Sequence, residues 1–197
     1  MKSKQVIIGL TGGIGSGKSY VARLLEQKGY PVYYTDDEAK RLMLQSDDIK
    51  TQLKGLLGDD VYLPDGQLNK KKLAAYLFCE KSHADKINAI VHPVVRKDFL
   101  GWVERQQAPV LIMECAILFE SGFNDLVTVV VAVSAPENIR LLRIMSRDHC
   151  SSEQALARIN SQYDEAERCR RADFVLLNDG EQDVYTATDK ILKQINP

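Results

Sequence analysis

Residues 7–19 read IIGLTGGIGSGKS, and no other stretch constrains the fold as much. An apolar run passes into five glycines within the nine residues starting at Gly9, then into Lys18 and Ser19. Glycines reach backbone torsions closed to other residues, so successive N–H groups can turn inward as an anion nest. A helix beginning at the end of such a loop adds the positive end of its dipole. From Gly12 to Ser19 the chain matches G-x-x-x-x-G-K-[ST] at every position. In that pattern the backbone cradles phosphates, the lysine reaches the β- and γ-phosphates, and the hydroxyl ligates Mg²⁺. The expected phosphate site is therefore Gly12, Gly13, Ile14, Gly15, Ser16, Gly17, Lys18 and Ser19, with Ser19 as the Mg²⁺ ligand. A glycine-rich turn that binds nothing is the alternative. The complete spacing, set between an expected strand and an expected helix, argues against it.

The rest of the chain extends the same pattern. Residues 6–10 read as a short buried strand and residues 19–28 as a helix with Val21, Leu24 and Leu25 on one face and Gly29 as its stop. Residues 31–36 (PVYYTD) read as a second strand, and residues 37–58 as a helix ending at Gly58. A turn punctuated by Pro and Asp-Gly follows at 62–69, then helices at 70–79, 81–91 and 94–106, with Pro93 at a start or a kink. Residues 109–120 begin as a buried strand. Residues 126–135 (LVTVVVAVSA) are the continuous apolar run that a parallel sheet requires. Residues 137–172 are charged and helical with a break near 149–152; 173–178 form a last strand and 183–195 a closing helix. Strands alternating with helices predict an α/β fold with a parallel sheet. The long helical stretch near 37–108 and the charged one near 140–168 would lie outside that sheet.

Composition narrows the function classes. The 197 residues carry a formal net charge of −1, so no global basic field favours nucleic acid. The first apolar run is far too short to span a membrane. Four cysteines lie far apart without CxxC spacing, which argues against zinc and against a disulfide framework and fits a reduced, cytoplasmic compartment. A phosphate loop alone names no reaction. A GTPase needs a guanine-reading NKxD, and the nearest match, NKKK at 69–72, lacks the Asp and follows a turn. The chain is short for a motor ATPase, so a kinase is favoured.

A kinase with a hydroxyl acceptor benefits from a carboxylate that orients or accepts the hydroxyl proton, and from cations on the transferred phosphoryl group. Asp36 and Asp37 stand at the expected end of the second strand, on the edge that lines the ligand crevice of open α/β sheets. The same residues suit a helix N-terminus, and both readings stand. Arg140, Arg143 and Arg147 recur at helical spacing, either as a lid over phosphates or as a solvated face. Arg168, Arg170 and Arg171 allow the same two readings. His92 is either a packed or capping residue or a ligand contact. Glu120 either meets acceptor hydroxyls or pairs with a surface cation. Glu114, inside the third strand, is a candidate to stand behind Mg²⁺, where Asp is the usual residue.

Taken together, these segments resemble the dephospho-coenzyme A kinase family nearly end to end. The likeness rests on IIGLTGGIGSGKS, TDDEAKRL, IVHPVV, AILFESG, SAPENIRLLRIMSRD, SSEQALARINSQ and ADFVLLNDG, in that order. It implies a P-loop NTPase core with a parallel five-stranded sheet, a helical acceptor-binding insertion and a helical lid. The core would be 1–36, 109–139 and 169–197, the acceptor region 37–108 and the lid 140–168. The implied reaction is ATP-dependent phosphorylation of the ribose 3′-hydroxyl of dephospho-coenzyme A, with Mg²⁺, in a monomer or weak homo-oligomer that binds neither nucleic acid nor membrane.

Carried over by position, residues 12–19 and Tyr20 would hold ATP, with Asn178 and Gly180 near its adenine. Lys18, Asp36, Arg143 and Arg147 would be catalytic. Asp36, His92 and Glu120 would line the acceptor side. Tyr20 stands where the family commonly has Thr, Tyr34 where many members have Asp, and Ala116 where Pro is common. Two rivals remain: another small-molecule kinase on the same core, and a nucleotide-binding module without transfer. Intact Lys18 and Asp36 argue against the second.

Overall fold

The computed structural model describes residues 5–80 and 82–195. Its five strands are β1 (Val6–Thr11), β2 (Val32–Tyr34), β3 (Val110–Glu114), β4 (Val129–Ser134) and β5 (Phe174–Leu177). They form one sheet in the order β2-β3-β1-β4-β5, with every pairing parallel. The first strand is thus central, with Leu10 paired to Glu114 on one side and to Val131 on the other. A strand covered on both faces must be apolar throughout, which is why residues 6–10 and 129–133 show no polar alternation. No helix among the described residues is long and apolar enough to cross a membrane.

The chain divides into two compact units, residues 1–34 with 107–197, and residues 35–106. In the first, α1 (Lys18–Gln27) and α9 (Val184–Ile195) supply Val21, Leu25, Val184 and Leu192 to a core shared with Ile8, Leu10, Val133 and Leu176. Each such side chain, once fully buried, contributes about 1.5–3 kcal/mol. Gly9 is fixed by packing: a Cβ there would lie 2.9 Å from both Leu118 and Val127 side chains. The charged stretch forms α6 (Glu137–Asp148), α7 (Ser152–Asn160) and α8 (Glu165–Arg171). The break expected near 149–152 is present, with His149 left-handed at φ 50°. A second break at 161–164 is new; Asp164 caps α8 by accepting from the Glu167 amide at 2.8 Å.

The second unit holds α2 (Thr35–Gln45), α3 (Asp47–Leu57), α4 (Lys70–Cys79) and α5 (Ser82–Arg105). Three expectations change here. The helix expected over 37–58 is two helices, because Ser46 ends one and caps the next by accepting from the Ile49 amide. The second strand stops at Tyr34, and Thr35 already opens a helix. Pro93 neither starts nor splits a helix; α5 runs through it. Proline removes one backbone hydrogen bond. The stripe Ile87, Val91, Val95 and Phe99, buried on both sides of the proline, holds the helix together across that loss. Arg41 of α2 pairs with Asp98 of α5 at 2.9 Å, and the Tyr62 hydroxyl donates to the Met43 carbonyl at 2.7 Å.

Candidate active site

The loop between β1 and α1 is built as its sequence predicts. Gly15 and Gly17 hold φ of +80° and +93°, the left-handed region that side chains disfavour. Space forbids side chains as well. A Cβ on Gly15 would lie 2.7 Å from the Arg140 carbonyl oxygen, and one on Gly17 would lie 2.1 Å from Asn178 Nδ2. Gly17 is the N-cap of α1 and offers no side-chain cap, so the first amides of that helix keep their capacity for an anion.

Three polar groups converge at the end of β3. Glu114, only 3% exposed, accepts from the Lys18 ammonium and, at 3.0 Å, from the Ser19 hydroxyl. Parallel register explains the meeting: Glu114 is level with Leu10 on β1 and with Tyr34 on β2, so it sits beside the start of the glycine loop. Lys18 is itself only 8% exposed. Glu114 is thus the partner of both loop residues. Tyr34, the departure from Asp, donates its phenol to Glu26 at 3.1 Å. Burial, that bond and the nearby carboxylates push its pKa to about 12, so it stays neutral.

On the other flank, the three arginines of α6 separate. Arg140 is 4% exposed and donates from Nε to the Ile14 carbonyl at 3.0 Å, which overturns the solvated-face reading for this residue. Arg143 donates to the Gly15 and Ser16 carbonyls at 3.2 and 3.3 Å and to Asn178 Oδ1 at 3.3 Å. Arg147 is turned to Asp148, bonded by Nε at 2.7 Å and by a second nitrogen at 2.9 Å, and is exposed. Asn178 closes the ring by donating from Nδ2 to the Ser16 carbonyl at 2.8 Å. Beside it opens a cleft of about 500 Å³ lined by Gly17, Tyr20, Arg143, Asn178, Gly180, Gln182, Asp183 and Val184. Pockets of this size and mixed lining suit a small ligand. Tyr20, Asn178 and Gly180 therefore line one cleft.

Two residues that the sequence did not single out, Gln162 and Glu165, join this flank of the loop. Gln162 Oε1 accepts from the Ile14 amide at 2.7 Å. Arg168 is 1% exposed and bonds Glu165 at 2.6 Å and the Tyr163 carbonyl at 3.2 Å. Glu165 also faces Arg140 at 3.5 Å. Glu120 finds its cation in Arg168, 3.9 Å away, a buried partner and not a surface one. Arg170 is an exposed partner of Glu167. No local signal tied Gln162 or Glu165 to a loop some 150 positions earlier. Ser151, by contrast, caps α7 in a capping box with Gln154 that the SSEQ stretch announces.

Asp36 and His92 belong to the second unit. Asp36 is exposed in the first turn of α2, two residues past the end of β2; Asp37 pairs with Lys40 at 2.8 Å. The carboxylate expected at a strand end is therefore at a helix start, where its charge also suits the helix dipole. His92 is half-buried in α5, and burial lowers its pKa below the usual value, which keeps the ring neutral near pH 7.

A parallel sheet ordered 2-3-1-4-5, with this loop leaving its central strand, defines a P-loop kinase. Residues 6–183 match the family model described as Dephospho-CoA kinase. A dephospho-CoA kinase of Bacteroides fragilis is 47% identical over 176 residues, covering 89% of this chain and 85% of its own. A solved structure from Thermus thermophilus superposes with a TM-score of 0.86 at 34% identity, covering 98% and 99% of the two chains. A dephospho-CoA kinase from Campylobacter jejuni, at 24% identity, shares the fold with a TM-score of 0.70 over 96% of each chain. The chain belongs to the dephospho-CoA kinase family.

Proposed function

We infer that this site phosphorylates the ribose 3′-hydroxyl of dephospho-coenzyme A with ATP, the final step of coenzyme A biosynthesis. One observation carries the assignment of the site: Lys18 and Ser19 meet at Glu114 on the sheet edge, at the head of an uncapped helix. In our reading the loop amides and Lys18 hold the terminal phosphates of ATP. Arg143 and Arg147 neutralise charge that develops on the transferred group, and the base lies in the cleft near Asn178 and Gly180. Asp36 orients the attacking hydroxyl and accepts its proton; His92 and Glu120 position the acceptor. Positioning and fixed charge account for most of the acceleration in this chemistry.

The oxygen donors of Ser19 and Glu114 suit a hard divalent cation that keeps several waters, as Mg²⁺ does. Mg²⁺ bound there would draw charge off the β- and γ-phosphates. We also assign residues 37–108 to the acceptor, a reading supported by the compact unit 35–106, and residues 140–168 to the lid. The wide sequence spacing of the cysteines at 79, 115, 150 and 169, without CxxC, supports a cytoplasmic location, and we expect a monomer or weak homo-oligomer.

An acceptor panel with ATP and Mg²⁺ tests the reading. Dephospho-coenzyme A should be turned over and ATP consumed only in its presence. No turnover of it, with good turnover of a nucleoside monophosphate, would end the assignment.

A further inference from the structure

The peptide groups of Ile14 are held from both sides by one stretch of chain. Gln162, in the α7–α8 connection, accepts from the Ile14 amide at 2.7 Å, and Arg140 of α6 donates to the Ile14 carbonyl at 3.0 Å. Arg140 is backed in turn by Glu165, whose Oε2 lies 3.5 Å from it and 2.6 Å from the fully buried Arg168. The packing leaves little slack, since a Cβ on Gly13 would sit 2.8 Å from Arg140 and 2.9 Å from Glu165. Ile14 lies in the middle of the glycine run, where torsions are least restrained and ordering costs most.

We propose that Gln162 and Glu165 are positioning residues for ATP: they fix the glycine loop in its phosphate-binding shape through the two peptide groups of Ile14. This rests on the reading of residues 12–19 as the ATP site. Neither side chain need touch the nucleotide. Gln162 satisfies an amide that the loop geometry turns outward, and Glu165 balances the charge that lets Arg140 stay buried on the opposite side. A loop fixed before binding loses less entropy when ATP arrives, so the contribution appears in nucleotide affinity.

The test uses the full chain and compares Gln162→Leu, Gln162→Glu and Glu165→Gln, with ATP affinity read by calorimetry and the acceptor KM by steady-state kinetics. Gln162→Leu keeps the bulk but leaves the amide without its acceptor, and ATP binding should weaken about tenfold with the acceptor KM within about twofold. Gln162→Glu keeps an acceptor oxygen and should restore most of that loss. Unchanged ATP affinity in Gln162→Leu, or equal weakening in both position-162 variants, overturns the proposal. Should Gln162→Leu prove insoluble, Glu165→Gln decides, with severalfold weaker ATP binding expected and unchanged binding overturning it. Lys18→Ala, run alongside, keeps the two readings apart. If that variant also binds ATP normally, the loop is not the ATP site; if it alone loses binding, only the present inference fails.

Discussion

The floor of the glycine loop and two exposed charged residues differ in how they are held. Lys18, Glu114 and Arg140 are each under 10% exposed and are bonded to protein partners. Asp36 and Arg147 are exposed at a helix start and a helix end. A buried charge without its partner is costly, so losing a partner in the first group should cost stability as well as the activity we propose for it. An exposed charge stays solvated when a partner is lost, so substitutions in the second group should cost little stability.

Substitutions can break this contrast, and the largest effect should come from the exposed side. Asp36→Asn should lower kcat by about 10²–10⁴-fold, with ATP affinity unchanged and the melting temperature lowered only slightly by the lost charge at the helix start. Near-normal turnover would move the carboxylate role elsewhere. Lys18→Ala should cut transfer by about 10²–10³-fold and, unlike Asp36→Asn, should also destabilise the fold by about 3 kcal/mol by stranding Glu114. Denaturant melts check this, and adding Glu114→Gln should recover part of the stability. If Lys18→Ala melts like the parent, the buried pair is not structural.

Two smaller effects sharpen the comparison. Arg143→Ala should weaken ATP binding about tenfold, whereas Arg147→Ala should leave it within about twofold and lower kcat about tenfold. Equal effects on binding would place both arginines in one class. The smallest effect is at His92, whose folded pKa is depressed by burial. The unfolded chain takes up the proton first, so stability is lost as pH falls from about 6.5 through the lower folded value. His92→Gln should flatten that slope in melts between pH 7 and pH 5, and an unchanged slope would show that the ring is not the group responsible.

Much of this was legible beforehand because the signals are local. The loop, its lysine and its hydroxyl lie in eight consecutive residues, and the apolar runs at 6–10 and 129–133 announce a doubly covered sheet. Ser46 followed by two aspartates is a helix-cap signal inside the single helix expected over 37–58, and two helices exist there. Arg140, Arg143 and Arg147 recur at helical spacings of three and four and yet meet three different surroundings. Periodicity places them along a helix and says nothing of what the helix approaches.

The sequence by itself determined the α/β alternation, the anion-binding loop and the order of motifs that marks the family. These depend on the torsions and polarity of near neighbours, which the chain carries wherever it folds. Only the tertiary structure decided that Glu114 receives Lys18 and Ser19, that Gln162 and Arg140 grip Ile14, and that Arg168 is buried behind Glu120. Those partners are separated by 48 to 148 positions. They meet only because parallel register and helix packing bring distant segments to the same edge of one sheet.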